Sequence, residues 1–99
     1  MFGNETTLDD LKQAVYSRAN VIAEKRMLIK MGGDVINDGW HLLLANGITI
    51  SIQQRPKNHA EVWAWKGDGK QVGDEVMRDP LFCPRTEQIT ALAQFLGSN

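Results

Sequence analysis

The chain has 99 residues, the usual size of one domain built around one core. Hydrophobic residues make up 42% and charged residues 23%, a balance that excludes a disordered tail and fits a folded soluble domain. Eleven Lys and Arg against twelve Asp and Glu leave a formal net charge of −1, so nucleic-acid or membrane-surface binding would need a local patch.

The opening residues Met1-Phe2-Gly3-Asn4-Glu5-Thr6-Thr7 lack the basic start and apolar run of a signal peptide. No stretch approaches the roughly 20 apolar residues of a membrane span, so no membrane association is expected. The single cysteine, Cys83, excludes an internal disulfide and a multi-cysteine zinc site. These features point to a cytoplasmic protein, and the absence of repeats, low-complexity tracts and Pro/Ser linkers makes residues 1–99 one domain.

In chain order, Thr7 followed by Asp10 resembles a capping box, and Asp9 and Asp10 suit a helix N-terminus. Leu8, Leu11, Val15, Ala19, Ile22 and Ile29 recur at spacings of three, four and seven. Lys25, Arg26 and Lys30 then gather before Gly32-Gly33, so the pattern predicts a first helix over residues 8–31. Trp40 to Ala45 and Ile48 to Gln53 flank Asn46-Gly47, a strong hairpin signal because Asn-Gly adopts the positive φ values of a type I′ turn. A two-residue loop pairs Ala45 with Ile48, Leu43 with Ile50 and His41 with Ile52, which makes those six the core face. The other face then holds Thr49, Ser51 and Gln53 beside Trp40, Leu42 and Leu44.

Pro56 ends that strand in a basic loop of Arg55, Lys57 and His59. Residues 60–65 predict a third strand, with Ala60, Val62 and Ala64 under a helix and Trp63 and Trp65 pointing away. Gly67-Asp68-Gly69 turns into either a fourth strand near residues 70–76 or a loop. Thr86 can cap a last helix through Ile89, Leu92, Ala93, Phe95 and Leu96, stopped by Gly97. The expected fold class is α+β: a three- or four-stranded antiparallel meander flanked by an N-terminal and a C-terminal helix.

His41 and His59 match no metal-ligand spacing, and they read as a core-rim residue and a loop residue. Cys83, between Phe82 and Pro84, reads as a small buried hydrophobe, although a histidine brought near by folding could activate it. Asp68, Asp74, Glu75 and Asp79 could pair for metal or glycosidase chemistry, but they match no EF-hand and read better as a solvated acidic loop. Gly67, Gly69 and Gly73 make neither a dinucleotide fingerprint nor a P-loop. No cofactor or metal is expected, and the chain reads as a non-enzyme.

Binding surfaces offer more. Trp40, Trp63 and Trp65 could share the face opposite the core as an interface, unless helices cover both faces. Asp68, Asp74, Glu75 and Asp79 could present negative charge to a basic groove of a host protein or protein complex. Alternatively, Arg18, Arg26, Arg55 and Lys57, with the tryptophans, could bind single-stranded nucleic acid or a nucleotide. A third reading is a structural or regulatory homodimer joined through the apolar strand at residues 40–45 or an unpaired sheet edge.

The run from Gly39 to Gln53, then Glu61-Val62-Trp63-Ala64-Trp65 and Asp68-Gly69-Lys70, resembles small proteins of bacteriophages and prophages. The resemblance spans about residues 39–70 and carries over no functional residue. It implies an accessory role in the host cytoplasm, such as an anti-CRISPR or other anti-defence protein that blocks a host complex by protein–protein contact.

Overall fold

The computed structural model describes residues 8–55, 59–67, 76–77 and 79–97. Helix α1 spans Leu8–Tyr16, with Asp9 and Asp10 in the first turn and Leu11, Ala14 and Val15 buried on one stripe. The expected cap at Thr7 lies outside the described residues. Five strands follow: β1 (Val21–Met31), β2 (Asp34–Leu44), β3 (Ile48–Arg55), β4 (His59–Lys66) and the two-residue β5 (Leu81–Phe82). Helix α2 spans Thr86–Gly97 and closes the described chain. The architecture is therefore α+β, a helix, an antiparallel five-stranded meander in the order β1-β2-β3-β4-β5, and a second helix.

The helix expected over residues 8–31 stops at Tyr16, and residues 21–31 form a strand instead. Bonds from the Arg18 and Ala19 amides to the Val15 carbonyl tighten the last turn, and Ala45 donates to the Asn20 carbonyl as the chain enters the sheet. Gly32 and Gly33 hold φ of 60° and 89°, the two positive values a type I′ hairpin turn needs. They connect β1 to β2 and do not end a helix. The possible strand near residues 70–76 falls on positions 70–75, outside the described residues, and on Val76, which is not in a strand.

The β2–β3 hairpin forms with a register one residue from the expected one. Leu42 pairs with Ile50 and Trp40 with Ile52, because the loop has three residues, Ala45-Asn46-Gly47. The Gly47 amide donates to the Leu44 carbonyl and Gly47 sits at φ 90°, a type I turn closed by a left-handed glycine. A one-residue slip flips the whole strand, so Leu42 and Leu44 face the core, and Leu43 and His41 face away.

Both helices pack on one face of the sheet and against each other. Leu11 and Val15 of α1 and Ile89, Ala93 and Leu96 of α2 form one cluster with Leu42, Leu44, Ile48, Ile50, Ile52, Ala60, Val62 and Ala64. Burying one such Leu or Ile side chain contributes about 1.5–3 kcal/mol. Ala60, Val62 and Ala64 lie beneath the helices as the alternation in β4 predicts. Asn46 ties the β2–β3 turn to this layer through a 2.6 Å bond from Nδ2 to the Leu96 carbonyl. At the start of α2, Gln88 Oε1 accepts from the Arg85 amide, so this bond, with Arg85 just before the helix, occupies the cap assigned to Thr86.

Candidate functional site

The three tryptophans do not share a face. Trp40 pairs with Ile52 on the helix side, while Trp63 and Trp65 lie opposite Ser51 and Thr49 on the far side. The register slip decides this, since it carries Trp40 with Leu42 to the core face. Lys12 Nζ of α1 sits 3.6 Å from the Trp40 ring centroid and Arg26 Cζ lies 5.4 Å from it, two cations over one ring. Arg26 also forks onto Asp38, with Nε–Oδ1 and Nη2–Oδ2 both at 2.9 Å. The Arg26 guanidinium is thereby engaged within the chain, and this pairing raises its pKa further.

On the far side, Trp65 is only 4% exposed and meets His41 edge-on, ring centroids 5.1 Å apart. Its Nε1 is buried without a hydrogen-bond partner. Trp63 is half-buried and donates from Nε1 to the Met77 carbonyl at 3.1 Å. Trp65 is thus spent inside the fold and Trp63 is partly so, and the expectation that all three tryptophans share the face opposite the core is not met. Thr49, Ser51 and Gln53 are buried beside them. Asn37 donates to Gln53, Gln53 to Ser51, and Thr49 to the Gly67 carbonyl, so the strip is satisfied internally.

A hollow of about 350 Å³ opens on this side between β1 and β3, lined by Ala23, Lys25, Met27, His41, Leu43 and Thr49. Burial, and then the Lys25 cation, push the His41 pKa below 6.5, so its imidazole is neutral at neutral pH. Glu24 also borders the hollow, but its carboxylate is turned to Tyr16 and Lys12 of α1. Among the described residues that line the hollow, no carboxylate is turned toward His41 to form an acid–base pair. Among the described residues no group of three or more His, Cys, Asp or Glu could hold a metal ion. No helix among them is long and apolar enough to cross a membrane.

Of the other expected site residues, some fall among the described residues and some outside them. Asp79 is exposed, whereas Asp68, Asp74 and Glu75 lie outside the described residues. Arg18 is exposed beyond α1 and Arg55 ends β3, whereas Lys57 lies outside the described residues. Cys83 is half-buried, with φ of 49° and its amide donating to the Ala60 carbonyl.

The surface that sequence reasoning missed is the outer half of the β1–β2 hairpin. Among the described residues β3 pairs with β2 only as far as Asp38, the partner of Leu28, so Ile29 to Asn37 run on as a two-stranded arm. Leu28 at its base and Ile29, Met31, Val35 and Ile36 on it are between 42% and 70% exposed. Five large apolar side chains stand exposed on this ribbon, Leu28 and Val35 on one face and Ile29 and Met31 on the other, an exposure of the kind that marks an interaction site. The available signal was Gly32-Gly33 between two β-branched runs, a hairpin turn flanked by strands. No protein-family model, curated protein or solved structure matches this chain.

Proposed function

We propose that this chain is a non-enzymatic binding protein that acts by protein–protein contact, with the β1–β2 arm as the docking element. One observation carries the reading: five large apolar residues stand in solvent on a ribbon that contributes nothing to the helix-backed core. Covering this arm with another surface would be favourable, since each of these side chains keeps about half of its surface in water and full burial of such a side chain is worth about 1.5–3 kcal/mol. The internal engagement of Arg26 with Asp38 favours this reading over a nucleic-acid surface. With the resemblance of residues 39–70 to phage accessory proteins, the partner in this reading is a host defence complex, blocked by occupancy and not by chemistry.

The test is capture from host lysate at moderate and high salt by wild type and by the double variant Val35→Ser, Ile36→Ser, which changes β2 alone. The expected result is a protein partner retained at high salt and lost by the variant. Equal capture by both proteins, or capture of only nucleic acid that salt releases, would overturn the reading.

A further inference from the structure

We propose that β1 pairs with β1 of a second copy of this chain, antiparallel and centred on Met27, to join two five-stranded sheets into one. The proposal rests on the arm reading only for the exposed apolar side chains, since the pairing itself uses the backbone edge. β1 is the terminal strand of the sheet, eleven residues long, and among the described residues it is bonded to β2 alone. Such an edge presents a row of open N–H and C=O groups that template another strand. The ladder to β2 shifts register twice, at the extra residue Ile22 on β1 and between Ile29 and Lys30, where the extra residue is Ile36 on β2. Residues 23–29 therefore run without a shift, and β1 itself carries no extra residue beyond Ile22.

Symmetry restricts the register. Two antiparallel neighbours in one sheet are related by a two-fold axis perpendicular to it, so facing residues lie on the same face and a residue must sit at the centre. Centred on Met27, Glu24 faces Lys30 of the second copy, twice by symmetry, while Lys25 faces Ile29 and Arg26 faces Leu28. The adjacent centres fail on charge. Centring on Arg26 sets that cation against itself, centring on Leu28 sets Arg26 against Lys30, and centring on Lys25 sets Lys25 against itself. Lysines on an open edge guard it against most partners, and of the registers free of like-charge contacts within the strand, centring on Met27 is the one that gains an opposite-charge pair, through Glu24. Both members are accessible: Lys30 is exposed, and the Glu24 side chain is 36% exposed although Tyr16 and Lys12 hold it in place. The Met27 register also sets Met27 against Met27 and Met31 against Ala23, covering part of the arm's apolar surface.

Light scattering on the full chain tests this directly, with twice the monomer mass expected. Lys30→Glu creates two Glu–Glu contacts and should weaken the dimer by about tenfold or more. Glu24→Lys should do the same, and mixing the two variants should restore a heterodimer. Because Glu24→Lys also removes the Tyr16 contact, a second measurement stands apart from it. In a Cys83→Ser background, Met27→Cys should cross-link under mild oxidation, because facing residues lie within disulfide reach, while Ile29→Cys should not. A wild-type monomer at every concentration, a Lys30→Glu dimer as tight as wild type, or cross-linking by Ile29→Cys in place of Met27→Cys overturns the proposal. A monomer whose partner capture still depends on Val35 and Ile36 would sink this pairing alone and leave the arm reading standing.

Discussion

Strand β2 passes through two environments in eleven residues. From Gly39 to Leu44 it lies between β1 and β3, with Leu42 and Leu44 sealed beneath the helices. From Asp34 to Asn37 it has the same antiparallel partner, β1, but no β3 beside it, and Val35 and Ile36 stand more than half exposed. Antiparallel pairing with β1 is common to both halves, interrupted in the arm by the extra residue Ile36, and the larger difference is tertiary cover. Stability therefore resides in the helix-backed half, while the arm is free to be shaped by a partner.

The largest effect should fall on the helix-backed half. Ile50→Ala removes a fully buried side chain from the central strand and should lower the unfolding free energy by about 2–5 kcal/mol in urea denaturation. Val35→Ser or Ile36→Ser should stay within about 0.5 kcal/mol of wild type. An arm substitution that costs as much as Ile50→Ala would break the comparison, because the arm would then belong to the core.

An intermediate effect is expected where the two halves meet. A Cβ at Gly39 would lie 2.2 Å from the Ile52 carbonyl oxygen and 2.9 Å from Gln53 Cα, backbone atoms that cannot turn aside. Gly39→Ala should force β2 and β3 apart and cost about 1–3 kcal/mol. Amide exchange should quicken at Asp38–Gln54 and Gly39–Gln53, the last pairs before the arm, more than at Leu42–Ile50. Uniform loss of protection along β2 would mean that the halves unfold as one unit.

The same division explains what could be read from the sequence. β4 was legible because its alternation matches a strand with one face under helices: Ala60, Val62 and Ala64 in, Trp63 and Trp65 out. β1 was not, because neither of its faces is fully covered and nothing enforces a period of two; Ile22 and Ile29 then fell at helical spacing, and Gly32-Gly33 passed for a helix stop. The register of β2 was ambiguous for another reason. Leu42-Leu43-Leu44 is apolar on both faces, so only the loop length set the parity, and Asn46-Gly47 serves a three-residue loop as well as a two-residue one. That slip moved Trp40 to the wrong face and made an aromatic surface seem available. The arm was hidden with β1, since a ribbon read as helix has no tip to expose.

The smallest effect concerns the tether between the regions. Tyr16, at the end of α1, donates its hydroxyl to the Glu24 carboxylate on β1, the strand that continues into the arm. That hydrogen bond foremost, then partial desolvation and the Glu24 charge, push the Tyr16 pKa up from 10.0 to about 12. Glu24 moves the other way, lowered mainly by the Tyr16 bond and also by Lys12. A raised phenol pKa means the contribution is complete below pH 10.0 and is lost as pH climbs through about 12. A lowered carboxylate pKa means its contribution is held above 4.5 and is lost as pH falls through the folded value. Both groups are largely solvated, so the effect belongs in a titration and not in a melting curve. Tyr16 is the only tyrosine in the chain, and the absorbance of its phenolate can be followed without assignment. Wild type should titrate near 12, and Glu24→Gln should return the midpoint toward 10.0. A wild-type midpoint already at 10.0 would mean that α1 does not hold β1 in solution, and the arm would then begin at Val21, with the whole of β1 belonging to the uncovered half.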